Sequence, residues 1–240
     1  MREPVVMSWS GGKDSAMALH DLLGNTDYEV VELMATVSEE YRRISHHGVR
    51  EELLDAQAAV IGIPLRKVYL PSDNSAGCTN EDYEAIMNRV MDDYKAKNVN
   101  TVAFGDLFLE DLRAWREANL ARAGMRGLFP IWKRDTRVIS HEVIQLGYKA
   151  YLSCVEPIVG ADFVGRLYDE NFLSDLPPTI DPCGENGEFH SFVFDGPTFA
   201  KPLAIKVGER VTRNGRFYAD LLLEPSPKLD ECTPESIPPV

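Results

Sequence analysis

Ser10-Gly11-Gly12-Lys13-Asp14-Ser15 gathers the groups needed to hold an anion into one short stretch. The glycines let the main chain approach a ligand without side-chain obstruction, Ser10 and Ser15 offer hydroxyl donors, and Lys13 supplies a cation. Asp14 would repel a naked phosphate. Either a magnesium ion accompanies a nucleotide here, or Asp14 caps backbone donors in a first helical turn. A Walker loop is excluded, because that pattern needs glycine where this chain has Met7 and Ser or Thr where it has Asp14.

Two other stretches concentrate reactive side chains. Gly105-Asp106 puts a carboxylate after a glycine that would let a ligand come close, with an ordinary helix cap as the plainer reading of Asp106. Gly184-Glu185-Asn186-Gly187-Glu188-Phe189-His190 sets two acids and a histidine in a glycine-bounded loop. Weaker signals are His46-His47, a loop pair that is solvated, capping, or engaged in catalysis or substrate contact, and Arg113, Arg116 and Glu117. Those three share a helix face that is either solvated with internal ion pairs or an anion-holding surface.

The elements that position these groups follow from apolar periodicity. Val5–Trp9 reads as a strand running into the loop, and Ala16–Leu23 as the helix after it, so loop N–H groups point at whatever sits over the helix N-terminus. Strands are expected at 29–37, 64–70, 101–107 and 127–132, and again at 148–155. Helices are expected at 49–61, 81–97, 111–123, 140–147 and 164–176. This alternation predicts an α/β fold with a doubly wound, parallel, Rossmann-like sheet over residues 1–157. A smaller α+β region over 158–225 carries a hairpin turned at Asn214-Gly215, and a loose Pro- and Glu-rich tail covers 226–240. Ligands in such sheets sit outside the strand carboxyl ends, so the backbone of Met34, Ala35 and Thr36 is the expected adenine edge.

Composition narrows the function classes. With 240 residues the chain can bury a sizeable core, and its net charge of −13 disfavours long nucleic-acid partners, leaving only a local basic patch around Arg113, Arg116, Arg122, Arg126, Lys133, Arg134 and Arg137. The four cysteines are widely spaced, without a Cys-x-x-Cys pair, so neither a zinc ribbon nor a disulfide framework is expected. No stretch reaches the roughly 20 apolar residues of a membrane span and no signal-peptide layout opens the chain, so the expected compartment is the cytoplasm.

The loop at 10–15 resembles that of the ATP pyrophosphatases, the PP-loop superfamily, whose fold is of the adenine nucleotide alpha-hydrolase-like kind. Together with Gly105-Asp106 and the 184–190 loop it is similar to the diphthine-ammonia ligase family, over most of residues 4–224. The resemblance implies that ATP adenylates the carboxylate of diphthine, a modified histidine of elongation factor 2, and that ammonia then displaces AMP. It implies phosphates held by Lys13 and the Ser10–Ser15 loop, magnesium near Asp14 or Asp106, Gly105 and Asp106 beside the nucleotide, and Glu185, Glu188 and His190 orienting ammonia or taking its proton. The eukaryotic motif Gly-Glu-Gly-Gly-Glu-Tyr-Glu-Thr differs here at Asn186, Phe189, His190 and Ser191, so a small carboxylic acid is an alternative acceptor. A homodimer is the assembly left open. The competing functions are a PP-loop enzyme that modifies tRNA and a nucleotide sensor without turnover.

Overall fold

The computed structural model describes residues 1–44, 47–71 and 79–224. His46, Cys78, Cys232, most of the loop expected at 72–79 and the 226–240 tail lie outside the described residues.

Five parallel strands form the first sheet: β1 (Glu3–Ser8), β2 (Tyr28–Ser38), β3 (Leu65–Leu70), β4 (Thr101–Ala103) and β5 (Arg126–Leu128), in the order β3-β2-β1-β4-β5. The helices α1 (Lys13–Gly24), α2 (Glu51–Ile61), α3 (Asn80–Ala96) and α4 (Glu110–Arg122) connect them. This is the doubly wound α/β fold that the alternation predicts. Chain order reverses at β1, whose neighbours are β2 and β4, so the crevice at their carboxyl ends is the switch point where ligands bind.

Period-two alternation gives β1 two buried faces. Val5 and Met7 join Met17, Leu53 and Leu54 of α1 and α2 in one core, while Val6 joins Met91 and Tyr94 of α3 and Leu120 of α4 in another. A β-branched strand buried on both sides has no other stable place than the middle of a sheet.

The second sheet is antiparallel and contains β6 (Lys149–Val155), β7 (Phe189–Asp195), β8 (Ile205–Arg213) and β9 (Arg216–Leu223), in the order β7-β6-β9-β8. Asn214 and Gly215 turn the β8–β9 hairpin with φ of 50° and 81°, as their pairing in the sequence predicts. The strand expected at 148–155 is therefore not a further member of the parallel sheet but the partner of β7 and β9.

The helix expected at 164–176 is also corrected. Only α6 (Glu170–Asp175) is helical there, capped by Asp169, whose side chain accepts from the Phe172 amide at 2.8 Å. The preceding residues run along β6 instead, with the Tyr168 amide donating to the Ala150 carbonyl at 2.8 Å. The helix expected at 140–147 begins earlier, as α5 (Thr136–Gln145), because Asp135 caps it. Among the described residues no helix is long and apolar enough to cross a membrane.

Candidate active site

The loop between β1 and α1 is braced from behind by the second sheet. Gln57, on α2 and fully buried, donates to the Gly11 carbonyl at 3.0 Å and to the Val193 carbonyl of β7 at 2.6 Å, while its own oxygen accepts from Trp9 at 2.9 Å. The Val193 amide returns a bond to Gly11 at 2.9 Å, and the Lys13 amide donates to the Ser191 hydroxyl at 3.2 Å. Gly11 sits at φ +74°, and a Cβ there would lie 2.7 Å from the Gln57 oxygen. Glycine is required on both counts.

Lys13 is 2% exposed, yet carries its charge. Its ammonium donates to Asp14 at 3.0 Å and to the Cys183 carbonyl, and lies 5.6 Å from the Tyr168 ring and 5.2 Å from the Phe189 ring. Burial works against the charged form, but the Asp14 carboxylate, through its charge and its hydrogen bond, outweighs it and holds the amine above its ordinary range. Ser10 and Ser15 bond to each other at 3.1 Å, and Ser15 donates to the Gly12 carbonyl at 2.9 Å.

These groups open into a cavity of about 420 Å³, also lined by Met34, Thr36, Gly105, Asp106, Glu185 and His190. Ala35 does not line it. On alternating strand positions its side chain turns to the opposite face and enters the core. Gly105 brings the end of β4 against α1, since a Cβ there would stand 2.7 Å from the Asp14 carbonyl oxygen and 2.9 Å from the Ser15 nitrogen.

The three candidate proton carriers have different surroundings. Glu188 does not line the cavity; its carboxylate accepts from the Asp181 amide at 3.2 Å, the Asn186 amide at 2.9 Å and the Asn186 side chain at 2.9 Å, and so organises its own loop. Glu185 faces the cavity and accepts from the Leu107 amide at 3.1 Å. Its carboxyl is pushed up to about 8 by burial and by Asp14, against the pull of Lys13. His190 lines the cavity with its ring 4.4 Å from that of His47. The structure thus brings His47 to the site.

The sign of the Glu185 shift gives a stability prediction. The folded chain keeps that proton up to about 8, whereas the unfolded chain releases it near 4.5, so this group's contribution to stability falls as pH rises through that window. Glu185→Gln is expected to flatten the ligand-free Tm against pH between about pH 5 and pH 8, by on the order of a few degrees. Melting curves at both ends of the window check this, and identical slopes for the two proteins would show that Glu185 titrates normally.

Two models match successive parts of the chain: the diphthamide synthase N-terminal domain over residues 2–127 and the diphthamide synthase C-terminal domain over residues 135–221. The chain belongs to the diphthamide synthase family. The diphthine-ammonia ligase of Danio rerio is 25% identical over 235 residues, spanning 88% of this chain and 89% of that protein. Those of Bos taurus and Homo sapiens are each 23% identical, spanning 88% of this chain and 85% of their own length. With ligases as its relatives, this diphthamide synthase family member is an enzyme of that class. A solved U34-tRNA thiolase, NcsA from Methanococcus maripaludis, aligns with 61% of this chain and 57% of its own, at 18% identity and a TM-score of 0.37.

In this member of the diphthamide synthase family the magnesium expectation meets an uneven donor set. Asp106 is held by Arg116 at 2.8 and 3.3 Å through both oxygens, and among the described residues no three metal-ligating side chains converge. Asp14, by contrast, keeps Oδ1 buried without a hydrogen-bond partner among the described residues. One unpartnered carboxylate oxygen beside the loop between β1 and α1 fits magnesium, which takes one or two carboxylates and completes its shell with phosphate and water.

The arginines do not form one anion surface. Arg113 pairs with Glu117 at 2.8 Å and lies over the Phe129 and Trp132 rings, whereas Arg116 pairs with Asp106. In the basic patch, Arg113, Arg116, Arg122, Arg126, Lys133 and Arg134 each face a carboxylate. Asp106 is not a helix cap, for α4 starts after Leu109 with no side-chain cap. Cys154 and Cys183 are buried free thiols. Sequence reasoning missed Gln57, whose signal was a polar residue inside the apolar stripe of α2, and Ser191 as a partner of the loop.

Proposed function

We propose that this protein is an ATP-dependent ligase that adenylates a carboxylate and passes the acyl group to ammonia, releasing AMP and pyrophosphate. The acceptor is diphthine on elongation factor 2, or a related carboxylic acid. The observation that carries this reading is the buried Lys13 at the head of α1, its ammonium paired with Asp14, facing a cavity at the sheet's switch point.

Lys13 and the main-chain amides of Gly11 and Gly12 bind the departing phosphates, and the charge they offer is greatest where pyrophosphate accumulates it. Asp14 would hold magnesium, which when bound would supply further neutralisation of the phosphates. Arg116 fixes Asp106 beside the nucleotide. Because Lys13 is already tied to Cys183 and Asp14, it needs no rearrangement at the moment of transfer.

Glu185 suits the second half of the reaction. A carboxylate titrating near 8 takes a proton from the attacking nitrogen more readily than one at the usual range, since a general base works best near the operating pH. His190 is the other cavity-facing acceptor, and Glu188 holds the loop that presents both. With free ammonia as nitrogen source, no amidotransferase thiol is needed, and burial raises both described thiols far from reactivity.

The test supplies the full chain with ATP, ammonium and either elongation factor 2 bearing diphthine or a panel of small carboxylic acids. AMP, pyrophosphate and amide, followed by phosphate analysis and mass spectrometry, are expected in equal amounts. ADP as the product, or pyrophosphate release that no acceptor stimulates, would overturn the reading.

A further inference from the structure

His47, in the segment between β2 and α2, lines the cavity with its ring 4.4 Å from that of His190. A Cβ at Gly12 would stand 3.3 Å from His47 Cε1 and 3.1 Å from the Ser191 carbonyl oxygen, so His47 abuts the loop that is to meet the phosphates. Whatever fixes His47 therefore fixes one flank of Gly12 and the setting of the His190 ring.

The fixing groups come from the second sheet. Tyr218 and Asp220 are two residues apart on β9 and share a face. Tyr218 seats Gly48, since at φ +66° a Cβ there would fall 2.6 Å from Cδ1 of the ring. Asp220 takes two arginines at once. Arg50 donates to its two oxygens at 2.9 and 2.8 Å through Nε and Nη2, and Arg43 donates at 2.9 Å through Nη2. Arg43 also donates to the Gly48 carbonyl at 2.6 Å through Nη1, so one guanidinium joins Asp220 to the residue after His47.

The charges make this a clasp. Arg43 and Arg50 stand opposite each other as an antiparallel bridge, a placing in which like charges destabilise. Among the described residues Asp220 is the only carboxylate paired with both. The two-oxygen fork with Arg50 fixes direction as well as distance. Without Asp220, two cations face each other at the base of the segment, and Gly48 and His47 lose their anchor.

We infer that Asp220 is a positioning residue for the nucleotide reaction, holding the His47 segment against the phosphate loop from the second sheet. This rests on the ATP reading above and deepens it. The second sheet then shapes the nucleotide site through β9 as well as through β7.

The experiment is calorimetric binding of ATP to the full chain without acceptor. Wild type, Asp220→Asn, His47→Ala and the double variant are compared, each first checked for cooperative melting. Asp220→Asn is expected to weaken ATP binding about 10-fold, because small displacements of positioning groups carry losses of that order or more. In the His47→Ala background the same change is expected to cost less than about 2-fold, since the group it positions is gone. A purely structural role would lower both Tm and ATP affinity equally in the two backgrounds. Gly48→Ala pushes the segment off the Tyr218 ring without touching a charge, and is expected to give the same loss and the same dependence on His47 even if Asp220→Asn does not fold. If the folded variants bind ATP as wild type does, or if the loss is undiminished without His47, the inference is wrong while the ATP reading stands. Failure of wild type to bind ATP at all would remove both.

Discussion

Replacing Lys13 by methionine is expected to lower the rate of adenylate formation about 100- to 1,000-fold, the usual loss when one preorganised charge-stabilising donor is removed from a water-poor site. Methionine keeps much of the volume and none of the charge. The departing pyrophosphate then loses its nearest side-chain cation. The same change leaves Asp14 without its cation, and Asp14 is 26% exposed, so the destabilisation should stay below the roughly 3–5 kcal/mol typical of a fully buried broken pair. Rapid-quench measurement of AMP formation, beside a melting curve, separates the two effects. A folded variant within 10-fold of the wild-type rate would end the proposal that this residue carries the phosphate chemistry.

The second large effect belongs to Gly105. An alanine there would place its methyl group 2.7 Å from the Asp14 oxygen, 2.8 Å from the Asp14 carbonyl carbon and 2.9 Å from the Ser15 nitrogen. All three are backbone atoms at the start of α1, so either the helix or the end of β4 must move. Overpacking of this kind typically destabilises by about 1–3 kcal/mol, which for a chain of this size lowers Tm by about 2–12 °C. Since the displaced atoms belong to the phosphate loop, affinity for ATP is expected to fall at least about 10-fold as well. Gly24→Ala is the control, because a Cβ there meets nothing within 4 Å and should stabilise the helix slightly. Equal melting temperatures for Gly105→Ala and wild type would refute the close approach.

The parts of the molecule legible from the sequence were those with local signatures. The loop between β1 and α1 could be read because strand, glycine pair and helix start are contiguous. The alternation of elements specified the doubly wound sheet, and Asn214-Gly215 announced its hairpin. What escaped reading depends on contacts between distant segments. The apolar run of β6 looks the same whether its neighbours run parallel or antiparallel, and its partners lie around Phe192 and Tyr218. The segment from Val164 to Tyr168 has helix-like spacing, yet Gly165 at φ +77° breaks any helix and Leu167 bridges to Tyr151.

The site was legible in its residue types more than in their tasks. Glu185 and Glu188 look equivalent in the chain, and only the three donors around Glu188 separate a loop-former from a cavity carboxylate. Asp106 and Asp14 looked like equal candidates for a metal until Arg116 took one of them. Gln57 gave almost no signal, since an amide's importance lies in what its two ends engage.

The brace behind the phosphate loop has a consequence for biosynthesis. Gly11 and Lys13 leave the ribosome early, whereas Ser191 and Val193, which fix their backbone, emerge only after most of the chain has been made. A nascent polypeptide can thus complete its first sheet before the backbone of Gly11 and Lys13 gains these two partners.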